Sequence, residues 1–181
     1  MAVDLAGFAA FMLGFRAFPT PRRRKQVSDD ASAHPPSPSP TESEPAIKVR
    51  PAGDADVPAL VGLWEACGLT RPWNDPVADI ALARKGPNSD VLVATREGRI
   101  VASVMVGHDG HRGGVYYVSS DPALRGHGLG RLIMEAAEAW LKARGVPKLN
   151  LLVRTSNKGV IGFYEALGYG LEETVAMGKR F

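Results

Sequence analysis

The sequence predicts a mixed α/β fold, a central and mostly antiparallel sheet with helices on both faces. Three observations carry this. Three β-rich runs, at 91–95, 100–106 and 115–118, follow one another with short turns between them, which makes an antiparallel meander. A strand, a helix and a strand at 115–120, 129–143 and 149–153 then form a single βαβ unit, the only place for a parallel pair. After the run at 115–120 stands Arg125-Gly126-His127-Gly128-Leu129-Gly130, a glycine-rich loop that opens the best helical pattern in the chain.

The elements follow in order. Ile47-Lys48-Val49-Arg50 alternates apolar and charged and reads as a first strand. Asp54 or Asp56 can cap a helix with Pro58 in its first turn, Leu60, Val61, Trp64 and Cys67 on one face, and Gly68 at its end. Pro72 and Pro76 keep Thr70–Pro76 irregular, and Trp73 among its polar residues marks either a ligand-facing surface or a core plug. A helix from about Val77 to Lys85 stops at Gly86-Pro87. Arg96-Glu97-Gly98-Arg99 joins the first two meander strands as a hairpin turn. A polar bend, His108 to Gly114, precedes the third. Leu129, Leu132, Ile133, Ala136, Ala137, Trp140 and Leu141 recur at helical spacing, and the helix ends at Arg144-Gly145. The continuous apolar run Leu149–Val153 predicts a buried central strand. Val160, Ile161, Phe163, Tyr164 and Leu167 mark a short helix ended by Gly168, and Leu171–Met177 a weaker last strand. The order is β-α-α-β-β-β-α-β-α-β.

Composition sets bounds. A chain of 181 residues, 45% hydrophobic and 23% charged, can bury a core of its own. Residues 1–46 balance five basic against five acidic side chains, so the net charge of +3 lies in 47–181. That excess is too mild for nucleic acid as a main partner, though it suits an anionic cofactor. The single cysteine, Cys67, falls on an apolar face and reads as a buried small hydrophobe; no Cys/His cluster has metal spacing, so no metal is expected, and the default compartment is cytoplasmic. Residues 1–18 form an apolar tail. Its densest run, Leu5–Phe15, is too short to span a bilayer, and its charges are placed wrongly for a signal peptide. A disordered tail, or a start codon placed too far upstream, is favoured over a membrane-surface helix. Residues 19–46 form a Pro/Ser-rich disordered linker holding seven of the chain's 14 prolines counted with Pro45, and 47–181 form the folded domain.

The glycine loop carries the chemistry. Glycines let backbone adopt angles other residues resist, and the helix that follows offers free N–H groups and the positive end of its dipole. Loop and helix start together make an anion site, most naturally for phosphate. A nicotinamide-binding fold is disfavoured: its Gly-x-Gly-x-x-Gly follows an early parallel strand, whereas here Gly126, Gly128 and Gly130 follow a meander.

These residues resemble the GNAT superfamily of acyl-CoA-dependent N-acetyltransferases across 47–181. Arg125, Gly128 and Gly130 match its Arg/Gln-x-x-Gly-x-Gly/Ala signature. Asn157, Tyr164 and Leu167-Gly168-Tyr169 match its second signature. The loop at 71–76, the bend at 109–113 and the terminal Gly178-Lys179-Arg180 are similar to the YpeA-type branch of small bacterial acetyltransferases. The resemblance implies acetyl-CoA as co-substrate, its pyrophosphate held by the backbone of Arg125, Gly126, His127, Gly128, Leu129 and Gly130. It also implies that the pantetheine arm lies along Val118, Ser119 and Ser120, with Asn157 either bonding it or capping a helix. Ser120 departs from the family, which usually has an apolar residue there.

The implied reaction is direct transfer to a primary amine, with Tyr164 as general acid. A lysine-like amine of pKa ~10.4 costs about 4–5 kcal/mol to present neutral at pH 7, so a base is needed. The strand 115–120 holds no carboxylate; His111 in the preceding bend is the candidate base. Trp73, Asn74, Asp75 and Tyr116 are candidate acceptor residues, with Tyr116 and Tyr117 expected on opposite faces of their strand. The acceptor is a small-molecule amine or a protein amino group, and a homodimer is common in the family. The alternative is a non-catalytic acyl-CoA-binding sensor or interaction domain of the same fold.

Overall fold

Glu97 and Gly98 both take positive φ, 52° and 78°, the backbone of a two-residue turn whose twist matches the strands it joins. That turn pairs β2 (Ser89–Arg96) with β3 (Arg99–His108) as a long antiparallel hairpin. The sheet grows outward from it. β1 (Lys48–Pro51) adds antiparallel to β2, and β4 (Gly113–Ser120) antiparallel to β3. β5 (Leu149–Asn150) adds parallel to β4, so the order is β1-β2-β3-β4-β5. The structure is a computed structural model and describes residues 45–179. The apolar tail and nearly all of the Pro/Ser-rich linker lie outside the described residues, as does Arg180.

Alternation along β2 sends side chains to both faces. Leu92 and Ala94 enter one core, with α3 (Leu129–Lys142) and α4 (Lys158–Glu165); Val91 and Val93 enter the other, with α1 (Val57–Ala66) and α2 (Pro76–Arg84). α3 buries Leu129, Ile133, Met134, Ala137 and Leu141, one face of a 3.6-residue period. Full burial of each larger side chain contributes about 1.5–3 kcal/mol. Leu141 lies so close to the sheet that a Cβ on Gly113 would sit 2.5 Å from its Cδ1. Trp64 is the largest wholly buried side chain, and its indole N–H donates to Ser103 Oγ at 2.8 Å.

Two expected strands differ. Leu149–Val153 does not form a central strand: regular pairing covers only Leu149 and Asn150, at the sheet's edge. The apolar run has two sources instead. Leu149, Leu151 and Val153 pack against the α3 core, while Leu152 points away and is exposed. Leu171–Met177 forms no strand, and Leu171, Val175 and Met177 are exposed. A two-residue β5 leaves too short an edge to hold a sixth strand.

Asp56 precedes α1 but does not cap it. Its carboxylate turns back, taking both Arg50 guanidinium nitrogens at 2.5 and 2.9 Å and the Gly53 N–H at 2.7 Å. Arg50 foremost, with Gly53 helping, holds this carboxyl down at about 2. A depressed folded pKa stabilises the fold above the unfolded value of ~3.9, and that contribution is lost as pH falls toward the folded value. Asp56→Asn should therefore lower stability at pH 7 by about 1 kcal/mol, discounted for the exposure of Arg50. In urea melts the gap to the native chain should close between about pH 4 and pH 2; a gap that stays constant would refute the linkage.

Candidate active site

After β4, the Asp121 carboxylate accepts from Ala123 N–H and starts a short 3-10 turn, Pro122–Leu124. Arg125 is extended, and Gly126 and Gly128 follow with φ of 82° and 74°. Gly128 sits at the cap position of α3, and no side chain caps it. The N–H groups of Leu129, Gly130 and Arg131 therefore face outward without helical acceptors. Leu129 and Gly130 are buried, and His127 folds back so that Nδ1 lies 3.1 Å from the Arg125 carbonyl. A Cβ on Gly126 or Gly128 would meet nothing within 4 Å, so the space before the helix is open.

Beside this loop the sheet forks. β4 and β5 pair only at Gly113 with Leu149 and Gly114 with Asn150. From Val115 to Ser120, β4 has no ladder with β5, so that edge is available to another extended chain. The side chains of Val118 and Ser119 there are engaged inside. Val118 packs into the α3 core, and Ser119 Oγ lies 2.8 Å from Ser103 Oγ. The Ser120 carbonyl accepts from Cys67 Sγ at 3.3 Å. Cys67 is buried, and burial pushes its thiol up, as suits a packed rather than a reactive cysteine. Tyr164 reaches the same core as Val118 from α4 and packs edge-on against Phe163 and Tyr169. Burial alone pushes its phenol up to about 12. Asn157 caps α4, its Oδ1 accepting from Val160 N–H at 3.3 Å, and so fixes the helix that carries Tyr164.

The expectation that Tyr116 and Tyr117 face opposite ways is overturned. Ser103 pairs with Ser119 but Met105 pairs with Tyr116, so Tyr117 and Val118 together oppose Val104 in a β-bulge. Tyr117 takes φ of 49°, in the left-handed region. Both tyrosines consequently lie on the α1/α2 side. The Tyr117 ring stacks on Trp64 at 3.9 Å, and its hydroxyl donates to Asp79 Oδ2 at 2.7 Å. Burial and then the bond to Asp79 push that phenol up to about 12.

Tyr116 lines a cleft of about 690 Å³ that runs from α2, past the end of β3, to the fork. The other candidates are dispersed. Trp73 is exposed on the loop before α2. Asn74 donates to the Tyr117 hydroxyl at 3.3 Å. Asp75 caps α2, one oxygen accepting from both Val77 and Ala78 N–H at 3.0 Å, so it is a helix cap first. His111 is exposed in the bend and is not among the residues lining the cleft, whereas His108, Asp109 and Arg112 are. Sequence reasoning missed Asp79, which lines the cleft from the first turn of α2. In sequence it reads as an ordinary acid at a helix start, four residues after the cap.

A family model described as the acetyltransferase (GNAT) family matches residues 58–169. An acetyltransferase of Yersinia enterocolitica is 44% identical over 134 residues, 74% of this chain and 95% of its own. An acetyltransferase of Pectobacterium atrosepticum is 43% identical over the same length. Among solved structures, a putative acetyltransferase from Agrobacterium tumefaciens superposes with a TM-score of 0.64 at 24% identity, covering 74% of this chain and 99% of that one. An aminoglycoside N-acetyltransferase in complex with CoA superposes with a TM-score of 0.67 at 14% identity, covering 77% and 98%. The last two establish likeness of fold.

The loop's dependence on positive φ can be measured. Gly128→Ala introduces no clash, so its whole effect comes from the backbone angle. It should lower unfolding stability by about 1 kcal/mol in a denaturant titration; an unchanged midpoint would mean that the loop relaxes to another conformation.

Proposed function

The chain belongs to the acetyltransferase (GNAT) family and is an acetyltransferase, and from that premise we propose that it takes the acetyl group from acetyl-CoA and passes it directly to a primary amine in the cleft beside β4. One observation carries the reading: the β4/β5 fork opens next to an uncapped helix start. An open strand edge suits an extended, amide-bearing arm, and outward N–H groups suit a pyrophosphate. The residues fit the molecule, because the donor groups point outward and the space before Gly126 and Gly128 is empty. On this reading the N–H groups of Gly126 and of Gly128 to Arg131 hold the phosphates, while the His127 N–H donates to the Leu124 carbonyl at 3.4 Å, and Val118 to Ser120 align the arm through their backbone.

Acetyl-CoA supplies an activated thioester. The residues of this chain do the rest. The bulge turns backbone at Tyr117 and Val118 out of register with β3, so an N–H there can meet the charge that gathers on the thioester oxygen. Tyr164 stands in the core lining the fork as a neutral donor. At about 12 its phenol lies well above a simple thiol at ~8.5, so complete proton transfer to the leaving sulfur is uphill by roughly 5 kcal/mol. Tyr164 therefore works by donating a hydrogen bond to the sulfur rather than by surrendering its proton early. The cleft's size falls within the range of small-ligand sites. Solved neighbours of similar fold include aminoglycoside N-acetyltransferases. Both support a small-molecule amine over a protein amino group.

Calorimetry with acetyl-CoA and thiol-release assays on an amine panel test this together. The intact chain should bind acetyl-CoA and release thiol only with an amine present. Tyr164→Phe should lower kcat by roughly 100-fold with acetyl-CoA affinity unchanged; a full rate would remove Tyr164 from the mechanism, and no turnover on any amine would leave the chain a binding domain.

A further inference from the structure

We infer that Asp79 receives the amine, and that the acceptor is a monocation with an apolar body; this rests on the acetyl-transfer reading above. The carboxylate is built for the task. Its Oδ2 accepts from the Tyr117 hydroxyl at 2.7 Å, while Oδ1 has no hydrogen-bond partner among the described residues. Asp79 is half-buried and lines the cleft, so the second oxygen is available to a cation there. The Tyr117 hydroxyl is itself fixed, by the stack on Trp64 at an interplanar angle of 10° and by the Asn74 amide. A carboxylate held this way loses little freedom when it takes an ammonium group.

The other acids nearby are less sheltered. Asp75 is exposed, is not among the residues lining the cleft, and caps α2 through Oδ1. Asp109 lines the cleft but is exposed, and its Oδ1 accepts the N–H groups of His111 and Arg112 at 2.8 and 2.7 Å and so holds the bend in shape. Arg112 stands on the same wall as Asp109. Asp79, Asp109 and Arg112 leave one net negative charge, which matches one ammonium and opposes a second.

The remaining wall is apolar. Leu82, Tyr116 and Leu152 line the cleft and are 72%, 48% and 44% exposed. Three large apolar side chains exposed around one cleft suit a ligand that covers them. They gain nothing from a flexible polyamine, whose charges would need water or carboxylates instead. An amine on a short chain beside an aryl or branched alkyl group fits both the carboxylate and the rim.

The test uses steady-state kinetics with 2-phenylethylamine and spermidine, alongside acetyl-CoA calorimetry and thermal melts. The intact chain should show a kcat/KM for 2-phenylethylamine about 10-fold or more above that for spermidine. Asp79→Asn should raise the KM for 2-phenylethylamine by about 10- to 100-fold with acetyl-CoA affinity unchanged. Tyr117→Phe keeps the ring stack and removes the hydroxyl alone; it should raise the same KM by about 3- to 10-fold. Asp79→Glu should recover part of the loss. An unchanged KM in a folded Asp79→Asn, or a preference for spermidine, would overturn the inference and leave the acetyl-transfer reading standing. Should melts show Asp79→Asn unfolded, Tyr117→Phe decides, and an unchanged KM there counts against Asp79. Failure of the intact chain to bind acetyl-CoA would instead bring down the reading on which the inference rests.

Discussion

Tyr117 holds a backbone angle that costs a bulky residue about 1–3 kcal/mol. The rest of the site depends on how that cost is offset. Flat stacking on Trp64 and the hydrogen bonds to Asp79 and Asn74 keep the ring on the α1/α2 side. With the ring fixed there, β4 carries two residues opposite Val104. Trp64 is fixed in turn by Ser103, and Ser103 by Ser119 further along β4. The bulge is thus closed on itself: the strand that bends also supplies the hydroxyl that holds its brace.

The bulge divides labour between the faces of the sheet. Toward α3 and α4, the core contains Val115, Val118 and Tyr164 and leads to the glycine loop. Toward α1 and α2, Tyr116 and Asp79 line the cleft, and the Tyr117 hydroxyl holds Asp79. The fork between β4 and β5 joins the two sides. Its opening follows from the shortness of β5, which pairs only with Gly113 and Gly114. On the proposed reading, transfer between a molecule on one side and a molecule on the other needs such a passage, and an uninterrupted sheet would close it.

Much of this was legible in the sequence, for local reasons. The Glu97-Gly98 turn, the α3 periodicity and the glycine loop are set by residues near one another in the chain, so spacing and turn chemistry suffice. What was hidden depends on partners far away. Strict alternation puts Tyr116 and Tyr117 on opposite faces, and only contacts with Trp64 and Asp79 reveal the extra residue in β4. Leu149–Val153 looks continuous because two different surroundings, a core and a cleft, each take apolar side chains from it. Asp79 was hidden by its position in the first turn of α2, where an acid is common for electrostatic reasons alone. Asp75 and Asn157, by contrast, are residue types that favour helix caps, and both cap helices here.

On the proposed reading, the loop before α3 and the open edge of β4 meet their ligand through peptide groups. Peptide groups are the same whatever the side chain, so this half is insensitive to most substitutions that preserve φ and ψ. The cleft is different, since α2, the 108–112 bend and the ends of β4 and β5 each contribute individual side chains to it. Divergence can therefore accumulate on one side of the sheet while the other stays constant. A lineage built this way can exchange one acceptor for another by a few replacements at Asp79, Leu82, Tyr116 or Leu152, with the donor carried through unaltered.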